Sequence, residues 1–200
     1  MTYYFYLIIS FLIAISAHES AHGLAAKWLG DPTADKMGRI TLNPLKHLDP
    51  VGTLMIFFIG FGWGNPVPVD DRYFKNKKLG NALVSFAGPF SNIILALISF
   101  IFLKYIFLPS FFFDFFRFFI SLNLILAVFN LIPIPPLDGS HVLELFIPKS
   151  FEEEWETIRK NGPFILLVIL LADNFFHLGI IGNVLRFFTD ILYVFLYSIS

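Results

Sequence analysis

Two histidines four positions apart, with a glutamate beside the first, stand inside an otherwise apolar run as His18-Glu19-Ser20-Ala21-His22. On a helix, positions i and i+4 share a face, so both imidazoles reach one metal ion. Glu19 falls about 100° around the helix from His18, where its carboxylate meets a water on that ion without ligating the metal. Such a set suits hydrolysis: the metal acidifies a water and the carboxylate takes its proton. The bland alternative, polar residues packed between helices, is disfavoured. An ionisable side chain inside a membrane span costs about 2.5–3.5 kcal/mol on insertion scales, and here three fall within one turn and a half.

A hydrolytic zinc keeps three protein ligands and one open position. The chain has no Cys, so the third ligand is another His or a carboxylate. Asp138 stands in Asn130-Leu-Ile-Pro-Ile-Pro-Pro-Leu-Asp138-Gly139, where prolines break the end of a hydrophobic span. Unwound backbone at membrane depth is tolerated where it lines a cavity. The alternative for Asp138 is an N-cap for the helix that follows. His47, His141 and Glu144 are rival ligands.

The elements that carry these residues are membrane helices. Of 200 residues, 56% are hydrophobic and only 14% charged, against about 25% charged in soluble domains. Such a chain cannot cover its surface with polar atoms, and its natural solvent is lipid. The net charge of −1 excludes a strongly basic nucleic-acid binder. Met1 to Ser10 lacks the Lys or Arg of a signal peptide, so the first apolar run, to about Leu29, reads as a retained span. Asn81 to Leu108 and Phe111 to Ile132 are two further spans. A hairpin is expected around Arg39 to Asn43, and Val51 to Trp63 is too short to cross and reads as re-entrant. Pro148 to Asn161 is charged and amphipathic. Pro163 to Leu171 and Val184 to Tyr197 form one span plus an interfacial helix, or two short spans. The expected fold is an all-α polytopic bundle of about 4–6 membrane segments, with three core spans around the site and a short β-hairpin or re-entrant element after the first. Residues 1–200 make one membrane-embedded domain.

Lys and Arg in short loops set orientation. Eight lie between Lys27 and Lys78, and Lys149, Arg159 and Lys160 add three, against only Lys104 and Arg117 on the other side. The crowded side is therefore expected in the cytoplasm, with the N-terminus outside and the site toward the cytoplasmic side of the cell (inner) membrane.

Five motifs in order carry a resemblance to a known family. They are His18-Glu-Ser-Ala-His22, Gly38-Arg-Ile-Thr-Leu-Asn-Pro44, Phe61-Gly-Trp-Gly-Asn-Pro-Val-Pro68, Gly88-Pro-Phe-Ser-Asn92, and Asn130 to Gly139. The set, which spans about residues 18 to 141, resembles the site-2 protease family of intramembrane zinc metalloproteases, in a compact form without a PDZ or CBS module. The resemblance implies one zinc ion per chain with His18, His22 and Asp138 as ligands and Glu19 as catalytic base. It implies hydrolysis of peptide bonds in or near transmembrane segments of membrane-protein or peptide substrates within the lipid bilayer. It also makes Asn92 and Asn130 candidates for holding substrate backbone, with interhelical hydrogen bonding as the alternative for both. A competing reading is a membrane metal-binding or metal-transport protein using the same His and Asp cluster. A transporter would spread polar groups along several spans, and here the second and third offer few beyond Asn92, Asn123 and Asn130.

Overall fold

The computed structural model describes residues 2–52 and 64–198. Its first helix, α1, runs Thr2–Trp28. It stops where Gly30 takes a φ of 104°, a left-handed turn that suits Gly. The Gly30 N–H returns to Lys27 O at 3.1 Å and the Asp31 N–H to Ala26 O at 2.9 Å, the paired closure of a Schellman end. A single turn, α2 (Thr33–Lys36), follows.

The expected β-hairpin around Arg39 to Asn43 does not form. Among the described residues there is no strand, only an isolated bridge between Leu48 and Gly64. The backbone groups a hairpin would pair are used otherwise. The Ser20 hydroxyl donates to Thr41 O, the Thr41 N–H lies 3.2 Å from the same hydroxyl, and His47 Nε2 meets Thr41 O at 2.7 Å. Asn43 then caps a 3-10 turn over Pro44–Lys46 by accepting from the Leu45 N–H. The loop is therefore tied to α1 rather than to itself. From residue 53 onward, the re-entrant element expected over 51–63 lies outside the described residues.

Helix α3 (Lys77–Tyr105) opens on Asn76, whose side chain accepts from the Leu79 N–H, and contains Pro89. Helix α4 (Ser110–Asn130) returns beside it. A short α5 (Gly139–Glu144) leads to α6 (Glu152–Phe175) and α7 (Ile180–Ser198). Expectation had separated the charged stretch before Asn161 from the apolar one after Pro163. The structure runs one helix through both, with Gly162 against Pro135, where a Cβ would come within 2.4 Å of Pro135 Cβ. Among the described residues, α1, α3, α4 and α7 are the four helices long and apolar enough to cross a membrane.

Packing follows lipid logic. Ala96 on α3, Ile120 and Leu124 on α4 and Leu196 on α7 form a buried cluster. Large apolar side chains such as Phe90, Ile94 and Ile98 face outward, as they do where the surroundings are hydrocarbon. Between helices, polar groups find one another. Asn92 on α3 and Asn123 on α4 are both fully buried. Asn92 Nδ2 donates to Asn123 Oδ1 at 3.0 Å, and Asn123 Nδ2 donates to Phe119 O at 2.8 Å.

The two ends of the bundle are distinct. At one, Tyr6 donates to Phe111 O at 2.9 Å, joining the start of α1 to the start of α4. At the other, Lys78 pairs with Glu152 at 2.7 Å and reaches Ile147 O at 3.3 Å. The Lys78 ammonium holds the Glu152 carboxyl below its usual range. That contact brings the two Lys- and Arg-rich segments to the same end.

The amide pair yields a stability test. Asn123→Ala leaves Asn92 Nδ2 with only its longer bond to Ala14 O at 3.4 Å, which should lower the unfolding free energy by about 1–3 kcal/mol. Thermal unfolding of the detergent-solubilised protein checks it, and an unchanged midpoint would show that the pair carries no stability.

Candidate metal centre

The site lies inside the bundle, ten residues before Trp28 and so about 15 Å from that end of α1. Glu19 is buried, and so are His18 and His22 on the α1 face toward α3. The two imidazole rings stand 4.6 Å apart at 89°. Asp138 arrives from the far side. The chain folds back so tightly after α4 that a Cβ on Gly139 would fall within 2.2 Å of Leu131 O, and this close return delivers the Asp138 carboxylate to α1. Asp138 Oδ2 lies 3.1 Å from His18 Nε2 and Oδ1 lies 3.4 Å from His22 Nε2. Asp138 begins α5 but makes no side-chain cap bond; both its oxygens face the imidazoles. Between ligand and helix cap, the geometry favours the former.

Each imidazole is oriented from behind. His22 Nδ1 sits 2.7 Å from Val84 O. A carbonyl only accepts, so Nδ1 carries the proton and Nε2 keeps its lone pair. His18 Nδ1 sits 2.7 Å from Asn92 Oδ1, and the same logic runs back along the amides. Phe119 O accepts from Asn123 Nδ2, which turns Asn123 Oδ1 to Asn92 Nδ2, which turns Asn92 Oδ1 to His18. His18 is thereby a donor at Nδ1 and a lone pair at Nε2. Such outer partners fix tautomer and ring angle in metal sites.

The residues present fit a zinc ion. Two ligands at Zn–N and Zn–O lengths of about 2.0–2.2 Å and a tetrahedral angle are about 3.3 Å apart, close to the 3.1 and 3.4 Å separations here. His18, His22 and Asp138 form the one such group of three or more among the described residues. Gly88 on α3 leaves the space open: a Cβ there would lie 2.5 Å from His22 Nε2 and 2.6 Å from His18 Nε2. Glu19 stays off the cluster, its Oε2 accepting from the Val67 N–H at 3.0 Å.

The rival ligands lie elsewhere. His47 is fully buried against Thr41 O, while His141 and Glu144 pair loosely at 3.6 Å beside Arg159. Of the two asparagines expected near substrate, Asn92 joins the cluster through His18. Asn130 does not, and its Nδ2 donates to Leu126 O at 2.9 Å. Expectation missed Asn123 and the Val84 carbonyl as partners of the site. Asn123 carried a signal, being an amide deep in an apolar span; a backbone carbonyl carries none.

Comparison with known proteins agrees with this geometry. The chain matches the family model of Peptidase family M50 over residues 6–114 and 108–171. YwhC of Bacillus subtilis, named as a candidate zinc metalloprotease, is 43% identical over 176 residues, covering 84% of this chain and 80% of its own. Rip2 of Mycolicibacterium smegmatis, similarly named, is 28% identical over 174 residues, covering 83% of this chain and 66% of its own. MJ0611 of Methanocaldococcus jannaschii, also so named, is 45% identical over 67 residues, 32% of this chain and 34% of its own. No solved structure matches the chain. A family match across most of the chain, on a bundle of membrane-length helices, leaves one conclusion: the chain belongs to peptidase family M50, the membrane-embedded zinc metalloproteases of the site-2 protease type.

Proposed function

We propose that this membrane zinc metalloprotease cleaves peptide bonds in or near transmembrane segments of membrane-protein substrates, using His18, His22 and Asp138 as zinc ligands and Glu19 as general base. The observation that carries the reading is the convergence of two Nε2 atoms and one carboxylate at tetrahedral-edge spacing beside a carboxylate that is not a ligand. Zinc, when bound, supplies Lewis acidity that brings the pKa of a water toward about 7. Glu19 would take a proton from the attacking water and pass it to the departing amine nitrogen as the peptide C–N bond breaks. The surrounding helices exclude other water, and Asn92 serves through His18. Asn130, at the end of α4, is the candidate for holding substrate backbone. The Lys- and Arg-rich end of the bundle faces the cytoplasm, the N-terminus lies outside, and the membrane is the cell membrane.

Purified protein should hold one zinc per chain by metal analysis. His22→Ala and Asp138→Ala should lose it, and so should Gly88→Ala, which removes no donor but fills the cradle. Full zinc in Gly88→Ala would place the ion elsewhere.

Glu19→Gln should keep the zinc and the fold while lowering the cleavage rate about 10²–10⁴-fold, because the amide cannot take a proton. A rate within a few-fold of wild type in a purified cleavage assay would remove Glu19 from the role.

Single cysteines at Lys77 and Glu154 should react with an impermeant maleimide only from the cytoplasmic side, with no native Cys to interfere. Labelling from opposite sides would overturn the topology.

A further inference from the structure

Glu19 does not stand free. The segment from Asn65 to Asp70 reads Asn-Pro-Val-Pro-Val-Asp, and proline has no backbone N–H. Between Pro66 and Pro68 the only main-chain donor is therefore that of Val67, and it is aimed at Glu19 Oε2, 3.0 Å away. The segment crosses α1 as a strap. Its Val67 side chain is buried and packs on Gly23, where a Cβ would come within 3.3 Å of Val67 Cγ1.

The strap is tied at both ends by hydrogen bonds. The Asn65 N–H donates to His47 O at 2.7 Å. Arg39 Nη2 donates to Asn65 O at 2.7 Å and to Pro66 O at 3.2 Å. The Asp70 N–H donates to Asp31 Oδ2 at 2.8 Å, while Asp31 Oδ1 accepts from the Thr33 N–H at 2.9 Å. A glutamate side chain has three rotatable bonds, and holding it in one pose costs rotamer entropy. A charge-assisted bond from a fixed N–H to one oxygen offsets that cost and leaves the other oxygen for water.

We propose that Arg39 is a positioning residue for Glu19, acting through the Asn65–Asp70 strap; this rests on Glu19 being the base. Among the described residues, the Arg39 side chain makes its hydrogen bonds to Asn65 O and Pro66 O and none to Glu19 or the metal cluster. By gripping the two carbonyls that precede Val67, it fixes where the Val67 N–H points. A misplacement of the base of about 1 Å costs up to about 10²-fold in rate.

The test uses zinc-loaded full-length protein in detergent. The probe is a single-span model substrate, an apolar helix of about 20 residues fused to a soluble reporter. Arg39→Ala should lower kcat by about 10- to 100-fold with KM within about two-fold and zinc still one per chain. Arg39→Lys, whose ammonium can donate to both carbonyls, should recover most of the rate. A substrate-free readout runs alongside. Val67→Cys puts the only thiol in the chain on the strap, and its reaction with N-ethylmaleimide should quicken about 10-fold or more when Arg39→Ala is added, as expected of a buried site released by local opening. Lys27→Ala, which removes an exposed pair with Asp35, should leave both readouts unchanged. If Arg39→Ala does not purify with zinc, Arg39→Gln, which keeps one donor amide, is read the same way. Unchanged kcat with unchanged thiol reactivity overturns the proposal, and so does a raised KM at constant kcat, which would make the strap a substrate contact. A Glu19→Gln control that cleaves as wild type would instead overturn the assignment of the base, a separate failure.

Discussion

Inside a bilayer no water is at hand to satisfy a stray donor, so every buried polar group must find its partner within the chain. The site depends on this constraint. His18 and His22 each bring two ring nitrogens into the interior, and one of each must be spent on an internal acceptor. Val84 O takes the Nδ1 proton of His22. Asn92 takes that of His18, and Asn123 and Phe119 O complete the line. What is left over is two Nε2 lone pairs pointing at one carboxylate. The rule that keeps polar groups tolerable in lipid is thus the rule that leaves the imidazoles in the ligating tautomer.

Close backbone approach is the second requirement, and it explains where side chains are missing. At Gly88 the absent Cβ leaves room for the two Nε2 atoms, at Gly139 the chain doubles back over the end of α4, and at Gly162 α6 meets Pro135. Small residues let helices approach without a hydrophobic driving force between them, which lipid cannot supply. Asp138 reaches α1 only because Gly139 permits so short a return. The third corner of the cluster is therefore set by packing at the Pro-rich break, not by the helix that Asp138 begins.

How much of this was legible depended on whether the signal was local. The pair His18 and His22 is local, since four residues on a helix settle which face both share, and Glu19 follows from the same geometry. Long apolar runs gave α1, α3 and α4 for the same reason, while the shorter run of α7 left its role open between a span and an interfacial helix. Asp138 was legible as a candidate because a carboxylate after a Pro-broken span is rare, but choosing it over His141 and Glu144 needed tertiary distances. The hairpin expectation failed for a tertiary reason too: residues 39–43 have strand-like composition, yet Ser20 and His47 capture the Thr41 backbone. Pro163 misled in a similar way. A proline is expected to end a helix, whereas here α6 continues through it with Gly162 packed on Pro135.

The site also divides its labour between two kinds of structure. The metal donors and their partners belong to α1, α3, α4 and the turn into α5, all inside the bundle. The partner of the base comes instead from the polar loop at the Lys- and Arg-rich end, through Val67 and the ties to Asp31, Arg39 and His47. The bundle partners of the two imidazoles are buried and hydrogen-bonded in turn to neighbouring helices. Of the loop ties, those from Arg39 to Asn65 O and Pro66 O are exposed, and in water a broken hydrogen bond is replaced at a net cost of only about 0.5–1.5 kcal/mol. Metal retention and base placement therefore rest on supports of different stiffness. On the proposed reading, a loop substitution at Arg39 bears first on the placement of Glu19, whereas His18, His22 and Asp138 are placed by contacts within the bundle.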